Sequence, residues 1–420
     1  MEKIAIIGTG IAGMGCGHFL YKKYDVTLFE QNDYIGGHTH TVYVDDDGTP
    51  IPVDTGFIVY NEVTYPNLTR LFKELKVPTK PTSMSFSVQH LPSGLEFCGS
   101  GLSGLFAQRQ NIFRPSFLRM LTRINRFNKE CLEVLDNEQY AAYTLADYIR
   151  EKNYGDDMLF KYLIPMSSAV WSTPPDAMLQ FPVRTLVRFF YNHGFLGLHT
   201  QHPWRTVANG SQTYRDILIA PFREKIHTRR AAQKVVRENG GVTVIDATGA
   251  LSRFDKAILA GHADDSLKLL ENPTDLERSL LSAFQYQKNH ITLHTDASVM
   301  PKTRRAWSSW NYRIGINKDG RLVPSTVYWM NSLQQVSEKN NYFVSINDPG
   351  DADPKRVLLE TDYDHPLFTV AAMKAQKRLP ELNAGGPVYF AGSYFRYGFH
   401  EDAFTAAIDA VTALTGEPPW

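Results

Sequence analysis

Near the start of the chain, Gly8-Thr9-Gly10-Ile11-Ala12-Gly13 spells Gly-x-Gly-x-x-Gly, a spacing in which backbone rather than side chains binds phosphate. The first glycine permits a tight turn, the second lets the backbone approach a pyrophosphate, and the third lets a helix pack against the preceding strand. The N–H groups that open such a helix have no partner within it and favour an anion. A glycine-rich turn without any ligand has the same letters, so the neighbouring residues decide. Ile4-Ala5-Ile6-Ile7 precedes the motif as a buried parallel strand does, and Met14 to Leu20 follows with helical character. A second apolar strand, Val26-Thr27-Leu28-Phe29, ends in Glu30 and Gln31, at the offset of about 20 residues where an acid reaches an adenosine ribose. Together these residues predict a bound dinucleotide.

The other reactive residues form no comparable set. His38 and His40 are two apart, while His290 and His294, on a predicted strand, would lie roughly 13 Å apart, too far to share an ion. No metal site is expected. Cys16, Cys98 and Cys131 are odd in number, widely spaced and without a Cys-x-x-Cys pair, which disfavours a disulfide framework and fits a reducing cytoplasm. Lys+Arg and Asp+Glu both number 44, so no global charge draws the 420-residue chain to nucleic acid or an anionic membrane, although a local patch stays open. No apolar stretch approaches the roughly 20 residues of a membrane span. The opening Met1-Glu2-Lys3 and Ile4 to Ala12 superficially match a secretory signal, but no cleavage site follows and the glycines have the better explanation above.

Further along come Gly36-Gly37-His38-Thr39-His40-Thr41 and Val53-Asp54-Thr55-Gly56-Phe57-Ile58. Here the chain resembles the flavin-containing amine oxidase superfamily, which includes monoamine oxidases, protoporphyrinogen oxidases and phytoene-type desaturases. The resemblance implies non-covalent FAD, with Gly36, Gly37, His38 and Thr39 near it and Gly56, Phe57 and Ile58 beside the flavin ring. His38 and Asn32 stand where the family usually carries arginine, and Phe57 replaces a glycine. Near the other end, the predicted strand Val388 to Gly392 and a helix opening at Gly398-Phe399-His400-Glu401-Asp402-Ala403 resemble the family's closing motif. That resemblance brings Gly392 and Ser393 to the ribityl-phosphate, turns Phe399, His400 and Ala403 towards the flavin pyrimidine, and lays Val235 against adenine. Phe399 takes the place of a tyrosine of the amine-binding cage.

A narrower similarity is to the flavin domain of plant-type cyclopropane fatty acid synthases and to bacterial flavin-dependent fatty acyl desaturases. It is carried by Gly36-Gly37-His38-Thr39, Met84-Ser85-Phe86, Pro165-Met166-Ser167, Trp307-Ser308-Ser309-Trp310-Asn311, His365-Pro366 and Gly398-Phe399-His400-Glu401-Asp402. It implies an oxidoreductase that oxidises or desaturates a lipid or fatty acyl-type substrate by hydride transfer to flavin N5. A flavin amine oxidase with an atypical pocket, or a non-catalytic flavin-binding partner of a lipid-modifying enzyme, stays open. His400 is the first candidate for a catalytic base and His38 the second; each has the alternative role of hydrogen-bonding cofactor or backbone. One dinucleotide fingerprint leaves oxygen, a quinone or a protein as electron acceptor. An apolar small-molecule substrate and a peripheral membrane contact are compatible partners; nucleic acid is not expected.

These residues are far apart in sequence, so the elements around them must fold back. The expected fold is α/β: a discontinuous Rossmann-like FAD-binding domain from 1–62, 203–270 and 384–420, and a mixed-sheet α+β substrate domain from 63–202 and 271–383. Segment 115–136 reads as one helix with Phe117, Leu118, Leu121, Ile124, Leu132 and Leu135 on its apolar stripe, and Pro182 to Asn192 as another ended by Gly194. Val242 to Ile245, Phe254 to Ala260, Ile291 to His294, Trp307 to Ile314, Val327 to Met330 and Phe343 to Ile346 read as strands. Ala247-Thr248-Gly249 reads as a hairpin tip. Trp310, Tyr312, Tyr328 and Trp329 are candidates for a substrate-channel wall, as are Phe189-Phe190-Tyr191 and Phe195-Leu196, with ordinary core packing as the alternative.

Overall fold

The apolar runs at 4–7, 26–29 and 388–390 have no polar face, which suits a sheet covered on both sides. In the computed structural model, which describes residues 1–197, 200–316 and 322–420, they lie in such a sheet. Five parallel strands run in the order Ile226–His227, Asp25–Phe29, Lys3–Ile7, Lys256–Leu259, Val388–Phe390. The helix Ile11–Leu20 follows the first strand and packs against the last helix, His400–Thr415, so closely that a Cβ on Gly15 would come within 2.9 Å of Phe404. An antiparallel meander, Ala232–Glu238, Gly241–Asp246 and Leu251–Phe254, adjoins, and Ala247-Thr248-Gly249 turns between its last two strands.

The second sheet has seven strands in the order Val357–Leu367, Gln285–His294, Phe343–Ile346, Leu322–Trp329, Trp310–Ile316, Phe86–His90, Leu95–Cys98. Its pairs are antiparallel except Trp310–Ile316 with Phe86–His90. Helices between residues 101 and 192 gather beside it, and Ala169 of the helix Ile164–Trp171 packs with Tyr312 and Ile314. The hairpin Thr41–Asp46 and Thr49–Asp54 and the small sheet of Tyr60–Asn61, Trp204–Val207 and Thr79–Thr82 complete the framework.

Several expectations need correction. Segment 115–136 is two helices, Pro115–Glu130 and Glu133–Asp136, and the buried stripe is Phe117, Met120, Phe127, Cys131 and Val134, with Leu118 and Leu132 exposed. These buried positions keep one helical period across Cys131-Leu132; Leu121, Ile124 and Leu135 of the expected stripe pack at its edge, whereas Leu118 and Leu132 lie outside it. The predicted strand 254–260 is split: Phe254 ends one strand, and Lys256–Leu259 begins in the parallel sheet. Trp310, Tyr312, Tyr328 and Trp329 do not wall one channel. Trp310 is registered with Tyr328 on one face, whereas Trp329 lies on the other with Trp307 and Phe343, because side chains alternate along a strand.

Candidate active site

Strand order in the parallel sheet reverses between Lys3–Ile7 and Lys256–Leu259, and such a switch point opens a crevice at the carboxyl ends of the strands. Three glycine-bearing loops emerge there: Gly8 to Gly13, Ala260-Gly261 and Ala391-Gly392. Ala260 N–H donates to Ile7 at 2.8 Å and Ala391 N–H to Leu259 at 3.0 Å, so the loops continue the sheet's own bonding. Gly10 caps the helix Ile11–Leu20 in an extended conformation, and the N–H groups of Ile11, Ala12 and Gly13 lack intrahelical acceptors. A Cβ on Gly13 would lie 1.9 Å from the Gly8 carbonyl oxygen, so the turn closes only with glycine.

Glu30 is buried at the end of the second strand. Its carboxylate accepts from Thr9 N–H at 3.2 Å, from the Thr9 hydroxyl and from Asn32 N–H at 2.8 Å. Gly36 N–H reaches the same hydroxyl at 3.3 Å, tying both glycine loops to Glu30. Gly37 sits over Gly10, where an added Cβ would be 3.2 Å from the Gly10 Cα. Gly56 fits directly beneath the His38 carbonyl, which Phe57 N–H donates to at 2.7 Å. Gln31 is exposed beyond the strand, Val235 is buried in the meander, and Ile58 packs into the apolar cluster of the hairpin and second sheet.

His38 stacks on His365 at 5.3 Å and leans on Tyr363 at 4.8 Å. Its Nε2 is buried without a hydrogen-bond partner among the described residues. Burial lowers His38 well below the ordinary histidine range and lowers His365 to about 4, so both rings are neutral near pH 7. His40 stacks on Tyr34 and bonds Tyr363, whose hydroxyl also meets Thr55 at 2.7 Å.

The last helix begins beside this group. Gly392 and Ser393 form the turn after the last strand, Phe399 caps the helix, and Ala403 is buried one turn in. Asp402 accepts from Phe399 N–H at 2.9 Å and Tyr397 N–H at 3.2 Å, satisfying the cap, while burial raises its carboxyl to about 7. His400 lies face to face with Phe57 at 3.9 Å, and its Nε2 is bonded to the Tyr214 hydroxyl, which also bonds Thr39. Burial lowers His400 to about 3. The ring is therefore held neutral at pH 7.

On the other side of the helix start the rings of a buried aromatic cluster pack together. Phe399 stacks on Phe189 at 4.9 Å, and Trp171 contacts Phe189 and Phe181 at 4.7 Å each. Its polar atoms are bonded inward: Trp171 Nε1–H donates to the Tyr397 carbonyl, and His193 Nδ1 bonds the Phe189 carbonyl. Phe189, Phe190 and Phe195 are buried, but Tyr191 is exposed and belongs to no wall.

Thr9, Tyr214 and Tyr363 carry structural weight that the sequence did not signal, as does Asp54 beyond its place in the Val53 to Ile58 motif. Thr9 occupies a variable slot of the glycine motif. Tyr214 is a single polar tip on an otherwise amphipathic helix. Buried Asp54 accepts from Thr41 at 2.5 Å, Ser211 N–H, the Ser211 hydroxyl at 2.8 Å and Gln334 Nε2 at 2.6 Å, and so joins the hairpin, the segment after Trp204–Val207 and the second sheet's region. Among the described residues His262, Asp264 and Asp265 are the one group close enough to share an ion, and Lys268 already bonds both acids.

The crevice fits FAD. A Cβ added at Gly10 or Gly261 would meet no atom within 4 Å, the helix start presents N–H groups, and the His38 Nε2 awaits a partner. The geometry defines a two-domain flavoprotein with a Rossmann-like cofactor fold. The family model described as flavin containing amine oxidoreductase matches residues 11–363, and the chain belongs to that family, with FAD as its cofactor. A 15-cis-phytoene desaturase of Synechococcus elongatus is 24% identical over 208 residues, 45% of this chain and 41% of that protein. A 1-hydroxycarotenoid 3,4-desaturase of a Flavobacterium species is 51% identical over 43 residues, 10% of this chain and 9% of that one. The chain thus aligns with less than half the length of these curated relatives. Among solved structures, cyclohexylamine oxidase from Brevibacterium oxydans superposes with a TM-score of 0.69 at 15% identity, covering 98% of each chain. A CLA-producing fatty acid isomerase from P. acnes gives 0.68 at 14%, covering 99% of this chain and 98% of that one. The narrower likeness to cyclopropane fatty acid synthase flavin domains rests on motifs alone.

Proposed function

We propose that the protein is an FAD-dependent oxidoreductase that oxidises or desaturates an apolar, lipid-type chain. The carrying observation is the aromatic wall at the start of the last helix: Phe399, Phe189, Trp171 and Phe181 present rings whose polar neighbours are already bonded inward. Such a wall recognises C–H surface and gives an ammonium group no carboxylate partner. The desaturase and isomerase names among the similar proteins support the same substrate class.

Segments 1–62, 203–270 and 384–420 hold the cofactor, and 63–202 and 271–383 the substrate. Bound FAD supplies a two-electron acceptor. Gly10, Ile11, Ala12 and Gly13 offer backbone to the pyrophosphate, Glu30 the ribose acceptor, and His38 Nε2 a further polar contact. Phe399 and His400 start a helix whose N–H groups favour negative charge. The His400 side chain, clamped between Phe57 and Tyr214, fixes that start, which makes it a positioning residue. The aromatic wall excludes water. Electrons leave to an external acceptor, whether oxygen, a quinone or a protein.

The test is anaerobic mixing of the oxidised holoprotein with phospholipids, free fatty acids, acyl thioesters, polyamines and aromatic amines, following the flavin band. Bleaching by a lipid supports the reading; bleaching by amines alone overturns it. A protein that no compound bleaches and whose photoreduced flavin no acceptor reoxidises is a flavin-binding scaffold instead.

A further inference from the structure

The balanced charges of the chain are not evenly spread. Between residues 101 and 130 stand six cations, Arg109, Arg114, Arg119, Arg123, Arg126 and Lys129, against one acid, Glu130. The segment forms the short helix Gly101–Leu105, the turn Arg109–Phe113 and the helix Pro115–Glu130. That last helix satisfies one face in the core through Phe117, Met120 and Phe127. Its outer face carries Leu118, Arg119, Thr122, Asn125, Arg126 and Lys129 at helical spacing, all exposed. Just before it, Phe113 is 85% exposed and Ile112 is also exposed, while Leu102 on the preceding helix is 75% exposed.

Of the nearby acids two are already engaged, while Asp156 is exposed. Glu130 pairs with Arg126 at 3.4 Å and accepts from Tyr154, and Asp157 pairs with Lys161 at 2.9 Å. Among the described residues, Arg109, Arg114, Arg119 and Lys129 have no carboxylate within 4.0 Å. Wet aliphatic and aromatic side chains beside uncompensated cations suit a surface that offers both hydrocarbon and negative charge. Nucleic acid would use the cations and leave Leu102, Ile112 and Leu118 in water. No helix among the described residues is long and apolar enough to cross a bilayer, so the contact would be peripheral.

We propose that this face, with Ile112-Phe113 at its tip and Arg114 and Arg119 beside it, docks the protein on an anionic lipid surface. The inference stands apart from the identity of the oxidised substrate. It is tested by floating FAD-loaded protein with vesicles of phosphatidylcholine alone or of phosphatidylcholine with phosphatidylglycerol. Binding to the anionic vesicles only, weakened by added salt, is expected. Phe113→Ser and the pair Arg114→Glu/Arg119→Glu should each lower vesicle partition roughly tenfold. FAD content and thermal midpoint should not change, since these side chains are exposed. Failure to float, equal binding to neutral vesicles, or loss in the arginine variant with Phe113→Ser unaffected would overturn the proposal. So would a dimer in sedimentation that Phe113→Ser dissociates while no vesicle binds.

Discussion

On one side of the last helix's start, the crevice is made of Gly8, Gly10, Gly13, Gly37, Gly261 and Gly392, brought together from three distant parts of the chain. On the other stand Phe399, Phe189, Trp171 and Phe181, three of them from residues 171–189. The first side recognises its ligand with backbone, which requires small residues at fixed φ and ψ. In the proposed reading the second recognises by shape and dryness, which many combinations of large side chains supply. Cofactor identity is therefore constrained tightly in sequence, and substrate identity loosely.

The comparison breaks hardest at Gly13. Gly13→Val drives a side chain into the Gly8 carbonyl, and overpacking of this kind costs about 3 kcal/mol or more in a turn that cannot yield. Purified protein should contain almost no FAD, read from the absorbance released on denaturation; a variant that keeps its flavin would show that the turn is not the binding loop. On the opposite side, Phe189→Ala should cost roughly 3–5 kcal/mol of stability, seen as a lower thermal midpoint, with FAD still bound at low temperature. Parallel loss of flavin in both variants would mean the two sides are one cooperative site.

A smaller change sharpens the cofactor side. Glu30→Ala should weaken FAD binding by about 1.5–3 kcal/mol if the carboxylate takes charge-assisted ribose hydrogen bonds. Because Glu30 also holds Thr9 and Asn32, Thr9→Val is the control in fluorescence titration with FAD. If both variants lose the same affinity, Glu30 acts through the loop rather than on the ribose.

A pH-dependent effect separates the histidines from Asp402 by its sign. His38, His193, His365 and His400 are held neutral by burial, the latter three at about 4, 4 and 3. Their folded pKa values lie below the unfolded one, so the stability they leave intact is present above about pH 6.5 and lost as pH falls through about 4. Asp402 is raised from 3.8 to about 7, so its contribution is complete below about pH 4 and lost as pH rises through 7. Relative to Asp402→Asn, the native protein should therefore lose at most about 3 kcal/mol between about pH 5 and pH 8, measured by denaturant unfolding of both at each pH. A difference that stays flat over this range would show that Asp402 is ionised throughout.

Much of the cofactor side was legible because glycine spacing has a direct geometric meaning. Gly8 to Gly13, Glu30 and Gly36-Gly37 fall where their letters place them, since a turn needing no side chain can be met by few residues. His400 was legible as a position, and its contacts were not. Its stacking on Phe57 and its bond to Tyr214 depend on residues 343 and 186 positions away, and burial lowers its basicity.

By itself the sequence determined the strand-turn-helix around Gly8 to Gly13, the second glycine pair and the closing helix, because each is a local pattern whose backbone geometry admits few residues. Tertiary structure alone decided that Trp310 and Trp329 face opposite ways and that His38 rests on His365 with one nitrogen unpartnered. Those outcomes depend on register and long-range burial. No local pattern encodes them, since each is fixed only when distant segments pack and exclude water from between them.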